Sequence, residues 1–169
     1  FNGNIAQATW QTANADNSSK TYTYAYDALN RIRSATGMHS AHYDLNNVSY
    51  DKNGNILALQ RKGHVQGDAR VFGLMDDLTY SYYGTGNQLQ KVLDNGSDAF
   101  GFKDGANLDT EYSYDANGNL TADANKGITS IAYNAMNLPT EVVVNNNDLW
   151  AAGGSIRYVY DAAGTKLSK

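Results

Sequence analysis

The sequence predicts an all-β fold of antiparallel β-hairpin repeats forming a curved open sheet. Three observations predict it. Tyrosines alternate with small polar residues over short stretches, the two-residue period of a strand. The 16 Gly and 20 Asn, against a single Pro, suit many tight turns. A strand-and-turn unit recurs along the chain, and no stretch sustains the 3.6-residue apolar period of an amphipathic helix.

The clearest copy of the unit is residues 111–120, EYSYDANGNL. Tyr112 and Tyr114 alternate; Asp115, two linking residues, Gly118, Asn119 and Leu120 follow. Aligned on the last tyrosine, the anchors are Tyr26, Tyr50, Tyr82, Tyr114, Tyr133 and Tyr160. The next residue is Asp27, Asp51, Asp115, Asn134 or Asp161 in five copies, and Tyr83 in the Tyr82 copy. The fourth residue after each anchor is Asn30, Gly54, Gly86, Gly118, Asn137 and Gly164. Gly and Asn are the residues that tolerate a positive φ. A type I turn followed by such a left-handed residue closes a hairpin with a bulge. An Asp or Asn at the first turn position accepts a hydrogen bond from the backbone two residues on. The anchors fall 24, 32, 32, 19 and 27 residues apart, so loops of varying length separate a constant hairpin.

Taken in order, residues 5–10 alternate weakly and read as a strand, and 12–19 as a polar loop. Residues 20–26 carry Tyr22, Tyr24 and Tyr26 into the first turn, and 31–35 return. Residues 37–47 form a connector containing Tyr43. Residues 48–50 and 56–60 make the second hairpin, with 62–68 polar after it. The third hairpin takes 77–82 and 88–93 and ends at the turn signal Asp94-Asn95-Gly96. Residues 97–109 are irregular and read as an insertion loop packed by Phe100 and Phe102. The 111–120 hairpin leads to a second turn at 123–127, then a strand over 128–133 and its return over 142–144. Residues 145–148 are a loop tip. Residues 156–160 alternate Ile156, Tyr158 and Tyr160 into a last hairpin.

At 169 residues the chain reads as a single structural unit, 1–169. The formal net charge of −4, with no Lys/Arg cluster, argues against nucleic acid as a partner. No apolar run is long enough to cross a membrane as a helix. With no cysteine, disulfides and thiolate metal sites are excluded. The aromatics are 13 Tyr against 4 Phe and 2 Trp, which suits a sheet face that is only partly dry.

These copies resemble the RHS repeats, also called YD repeats, of rearrangement hotspot proteins. The family pattern is close to Tyr-Asp-x-x-Gly-Asn-Leu, often with another aromatic two residues earlier. Tyr114 to Leu120 matches it fully, Tyr50 to Ile56 with Ile for Leu, and Tyr26 to Ile32 and Tyr160 to Leu167 in part. The resemblance implies long hairpins that spiral side by side into a hollow β-shell. It implies a structural scaffold segment of a large secreted or cell-surface protein, enclosing or presenting another region such as a C-terminal toxin. The partners it implies are neighbouring repeats of the full-length protein and an enclosed C-terminal domain. The pattern is under way at Phe1 and breaks off inside a repeat at Lys169, so the expectation is a segment truncated at both ends, with open strand edges that self-associate. The self-cleaving aspartate segment of bacterial relatives has no counterpart here, and no enzymatic activity is expected.

Other chemistry is weaker. Asp27, Asp51, Asp115 and Asp161 look like a carboxylate array, but each stands where a turn wants one. Residues 51–55 and 115–119 resemble a calcium loop, but an EF-hand needs Gly sixth and Glu twelfth, and here Gly is fourth and the twelfth residues are Lys62 and Lys126. Glu111 and Glu141 lie in no motif. His39 and His42 lack a third metal ligand, and His64 stands apart, so no metal and no cofactor is expected. The N-x-S/T sequons at Asn17, Asn47, Asn95 and Asn119 are expected by chance in so Asn-rich a chain. The alternative function is a carbohydrate- or cell-surface-binding module, with Tyr22, Tyr24, Tyr112 and Tyr158 as the stacking faces for glycans.

Overall fold

A computed structural model describes residues 3–13, 17–38, 40–67, 70–84, 86–97, 99–145 and 153–169. The strands are β1 (Gln7–Trp10), β2 (Lys20–Tyr26), β3 (Ile32–Gly37), β4 (Leu45–Tyr50), β5 (Ile56–His64), β6 (Phe72–Tyr82) and β7 (Leu89–Asp94). They continue as β8 (Tyr112–Tyr114), β9 (Leu120–Asp123), β10 (Ile128–Tyr133), β11 (Pro139–Val144), β12 (Gly154–Arg157), β13 (Val159–Tyr160) and β14 (Lys166–Ser168). The only helical piece among the described residues is one 3-10 turn, Ala124–Lys126. The fold is all-β and antiparallel, in open sheets.

β1 to β7 form a seven-stranded sheet in sequence order, β8 to β12 a five-stranded sheet in sequence order, and β13–β14 a separate hairpin. Within each sheet the neighbours in space are the neighbours in sequence, as a chain of short turns dictates. The chain divides into two compact units: Phe1–Tyr80 with Leu93–Phe102, and Ser81–Val92 with Lys103–Lys169.

Local structure follows the repeat. In β2, Tyr22, Tyr24 and Tyr26 are half-buried while Thr23 and Ala25 are exposed, the alternation of a one-sided strand. At the first turn the Asp27 N–H donates to the Arg31 carbonyl and the Asn30 N–H to the Asp27 carbonyl. The same pair of bonds closes the turns at Asp51, Asp115, Asn134 and Asp161. The left-handed residue is where the sequence places it: φ is 63° at Asn30, 91° at Gly54, 85° at Gly118, 57° at Asn137 and 84° at Gly164. The pairing then slips by one residue just beyond the turn in all five hairpins. Tyr26 faces Ile32 but Ala25 faces Ser34, and Tyr133 faces Pro139 but Ala132 faces Glu141. A second bulge therefore follows each of these turns.

Gly86 departs from the expectation. It is not left-handed; Gly84, with φ 54°, is. The Tyr83 N–H reaches Gln88, five residues on, where the other turns reach four. With Tyr83 in place of Asp or Asn, the side-chain oxygen that fixes the four-residue closure is missing, and the turn is one residue longer.

Several boundaries move outward. β4 begins at Leu45, inside the expected connector, with Asn47 at φ 54° taking up an irregularity in its pairing with β5. β5 and β6 extend to His64 and from Phe72, and pair with each other through the segment read as polar. The turn at 123–127 is present: Asp123 caps the 3-10 turn by accepting from the Lys126 N–H, and Gly127 ends it at φ 64°. The loop tip expected at 145–148 lies outside the described residues except for Asn145.

The buried core among the described residues is thin. Val48, Leu78, Val92 and Tyr112 are its apolar members, beside six buried polar ones: Thr21, Asp44, Asp76, Glu111, Asp123 and Asn125. The large majority of polar groups shut away from water are paired, and through their bonds these carboxylates hold the loops in place.

Candidate functional site

The repeated turn is the candidate site, and its chemistry starts from one carboxylate. Asp115 Oδ1 accepts from the Asn117 N–H at 2.9 Å and the Asn119 N–H at 2.8 Å. Asp27 does the same with Leu29 and Arg31, and Asp161 with Ala163 and Thr165. Asn134 substitutes its amide oxygen, accepting from Met136 and Leu138. The second carboxylate oxygen takes the side chain of the residue after the left-handed one. Arg31 Nε reaches Asp27 at 2.7 Å, Asn55 Nδ2 reaches Asp51 at 2.8 Å, and Asn119 Nδ2 reaches Asp115 at 2.9 Å. Where the turn residue is Asn134, the matching position is Leu138, which has no donor.

These bonds favour the ionised form. The Arg31 backbone N–H leads in holding Asp27 below its ordinary value, the Asn119 side chain leads for Asp115, and the Thr165 N–H leads for Asp161. At Asp51 burial is the largest single effect and pushes upward. The Asn55 side chain and the N–H groups of Asn55, Asn53 and Gly54 together outweigh it. The carboxylates that look like an array are thus each occupied by their own turn. Among the described residues, no group of three or more His, Asp or Glu is placed to hold a metal ion.

The anchor tyrosines carry a second recurring contact. Tyr50 Oη donates to the Ile32 carbonyl at 2.7 Å, Tyr133 to Leu120 at 2.7 Å and Tyr160 to Pro139 at 3.0 Å. At Tyr114 the direction is reversed: the Leu89 backbone N–H donates to the phenol oxygen. Each of these four partners is the first residue of the preceding hairpin's return strand. The phenol therefore spans from one hairpin to the one before it. Burial raises the pKa of Tyr50, Tyr114 and Tyr133, which keeps these phenols protonated. Tyr83 donates to the Tyr112 carbonyl at 2.7 Å.

The buried acids were invisible as a set in the sequence. Asp76, fully buried, pairs with Arg61 and accepts from the Phe102 N–H at 2.6 Å. A Cβ at Gly101 would collide with that carboxylate, so a glycine lies there. Of the two phenylalanines expected to pack the loop at 97–109, Phe100 is half exposed, while Phe102 is half-buried at a cleft it lines with Leu45, Leu59 and Leu78, so this backbone contact and Phe102 together hold the loop. Glu111 Oε2 accepts from the Val92 N–H at 2.9 Å and from Asn125 Nδ2 at 2.8 Å, and Asn125 Oδ1 accepts from the Ala106 N–H. The one signal was Asp76-Asp77, an acidic pair inside a strand, where Asp is disfavoured.

The expected stacking faces differ in access. Trp10 and Tyr22 stack at 5.6 Å and 14°, and Tyr22 and Tyr24 at 6.4 Å and 26°. A cleft of about 370 Å³ opens beside them, lined by Trp10, Lys20, Tyr22, Ser40, His42 and Tyr43 among others. Tyr158 lies against Tyr160, with the Lys166 ammonium 4.3 Å above its ring. Tyr112 is buried, its hydroxyl accepts from Asn125 Nδ2 at 3.4 Å, and the pKa of its phenol is pushed up to about 12 by burial. Of the histidines, His42 stacks flat on Phe72 at 3.9 Å and His64 lies on Phe72 at 4.3 Å. His39 lies outside the described residues.

No protein-family model matches the chain, and no curated protein matches it.

Proposed function

We propose that this chain is a scaffold segment of an RHS/YD-repeat protein. It forms part of the wall of a β-shell on a secreted or cell-surface protein, which encloses or presents another region such as a C-terminal toxic domain. The observation that carries the reading is the anchor-tyrosine bond. Three hairpins, those of Tyr50, Tyr133 and Tyr160, are tied to the preceding one by the same hydroxyl-to-carbonyl contact, at a place set by the repeat. A module that always presents the same acceptor to its successor can be added side by side without limit, as a wall requires. The partners are neighbouring repeats and the enclosed region.

A second reading has its own observation. The Trp10–Tyr22–Tyr24 aromatic run beside an open cleft suits the apolar face of a sugar ring, with Lys20 and Ser40 to bond hydroxyls. The two readings separate in one experiment. A glycan array read with labelled protein, followed by Trp fluorescence titration of hits, should give no saturable binding for a scaffold. Tyr50→Phe and Tyr133→Phe should each cost roughly 0.5–1.5 kcal/mol in urea unfolding, for one lost hydrogen bond apiece. Saturable quenching that Trp10→Ala abolishes, with neutral tyrosine variants, would replace the scaffold reading with the binding one.

A further inference from the structure

Gly3-Asn4-Ile5 repeats Gly54-Asn55-Ile56 letter for letter, and its backbone and contacts are those of a completed turn. Gly3 has φ 82°, beside 91° at Gly54 and 85° at Gly118. Asn4 Nδ2 donates to Oδ1 of Asn30, the left-handed residue of the next turn, at 3.1 Å; Asn119 makes the same bond to Asn137 at 2.9 Å. The Ile5 carbonyl accepts the Tyr26 hydroxyl at 3.0 Å, as Ile32, Leu120 and Pro139 accept theirs. The Ala6 carbonyl accepts from the Tyr24 N–H at 2.9 Å; Thr140, at the matching place after Pro139, accepts from the Tyr158 N–H at 2.9 Å. Four matches make residues 3–5 the outgoing half of a Tyr-Asp turn and β1 its return strand.

In completed copies the anchor tyrosine lies opposite the first return residue: Tyr26 opposite Ile32, Tyr50 opposite Ile56, Tyr114 opposite Leu120. Those return residues are half-buried, whereas Ile5 is 62% exposed. Among the described residues β1 pairs with β2 alone. Because Ala6 accepts from Tyr24, the bonded pairs along β1 and β2 continue at Ala8 with Tyr22 and Trp10 with Lys20. The N–H groups of Gln7 and Thr9 then point to the other edge.

We infer that this edge of β1 is a docking site for one antiparallel strand ending in Tyr-Asp and joined directly to Phe1. The inference rests on the scaffold reading and names the chemistry of the neighbour. The register fixes the two residues. The turn aspartate lies four residues before the asparagine it binds, as Asp51 precedes Asn55 and Asp115 precedes Asn119. Counted back from Asn4, that is the position immediately before Phe1, and the tyrosine stands one earlier. Its carboxylate takes the N–H groups that Asp115 takes in its own turn, and its strand covers Ile5 and pairs with Gln7 and Thr9.

Three chains are compared by amide hydrogen exchange, at a concentration where light scattering shows monomer. One is the chain as it stands. One carries Lys-Thr-Tyr-Thr-Tyr-Ala-Tyr-Asp, the sequence of residues 20–27, directly before Phe1. One carries the same octapeptide with its last two residues replaced by Phe-Ala. The Gln7 and Thr9 amides should slow by roughly tenfold or more in the Tyr-Asp chain, and by clearly less in the Phe-Ala chain. Equal slowing in both extended chains overturns the Tyr-Asp requirement. Open Gln7 and Thr9 amides in all three chains overturn the docking site and leave the scaffold reading standing. If these amides are as protected as β2 in the unextended chain, the edge is already covered and both readings fall.

Discussion

At the scale of single residues the fold depends on a few positions with no freedom of choice. Gly118 sits at φ 85°, and a Cβ there would meet nothing closer than Gln88 Nε2 at 3.7 Å. Any cost of a side chain is therefore conformational and not steric. Gly118→Val should destabilise by about 1–3 kcal/mol, since β-branching excludes the left-handed region. Gly118→Asn should cost well under that, because Asn30 and Asn137 already hold the matching positions at φ 63° and 57°. Chemical denaturation of the two variants checks the contrast, and equal costs would refute the turn assignment. This position was legible in the sequence because only Gly and Asn occupy it. The exception, Gly86, was misread for the same reason: identity was taken for conformation, while the missing Asp had already changed the length of the closure. Asn55 and Asn119 were visible as letters, but their role was not. It emerges only when the turn brings each amide onto the second oxygen of its aspartate.

At the scale of the hairpin, the turn couples folding to protonation. The pKa values of Asp27, Asp51, Asp115 and Asp161 are held below the ordinary carboxylate value by the N–H and side-chain donors around them. Their unfolded counterparts titrate near 3.9, so below that pH the unfolded chain binds more protons than the folded one. The stabilisation is fully present above about pH 4 and is lost as pH falls through the depressed folded values. Asn134 shows that a neutral amide can close the same turn where the residue after the left-handed one, Leu138, brings no side-chain donor. Changing all four aspartates to asparagine (Asp27→Asn, Asp51→Asn, Asp115→Asn, Asp161→Asn) should flatten the acid limb of the stability profile. It should also lower stability at neutral pH, where the amide group would face Arg31, Asn55 and Asn119. Circular dichroism melts from pH 2 to 7 give both readouts, and an unchanged acid limb would show that these turns do not carry it. Strand type and order were readable from the tyrosine period and the turns. Strand length was not, since β5 and β6 extend through polar residues whose pairing is set by the neighbouring strand and by Asp76 and Asp77, not by their own pattern.

At the scale of the whole molecule, the question is which edge meets another chain. Edge strands expose unpaired N–H and C=O groups, and charged side chains are the usual protection against pairing. The edge strand β12 ends in Arg157, which is paired with Glu141, and β14 carries Lys166 beside Lys169. β7 is bridged by the Glu111 N–H on the Gln90 carbonyl and by the Glu111 carboxylate on the Val92 N–H. β1, Gln-Ala-Thr-Trp, has no charge at all, and Ile5 and Trp10 stand exposed beside it. Among β1, β7, β12 and β14, the least protected edge is thus also the one whose turn is half built. Two copies can satisfy it together by pairing β1 with β1 antiparallel about a two-fold axis, an arrangement that closes at the dimer. Light scattering across a concentration series should therefore show monomer passing to dimer, without growth to long fibres. The Tyr-Asp extension should suppress the dimer by occupying the edge, and a lysine at the exposed Gln7, Gln7→Lys, should weaken it by charge repulsion. Dimerisation that neither change affects would place the contact on another surface. A strict monomer at millimolar concentration would mean that the edge is covered by the chain itself, and the side-by-side wall would then have to be abandoned as the account of this fold.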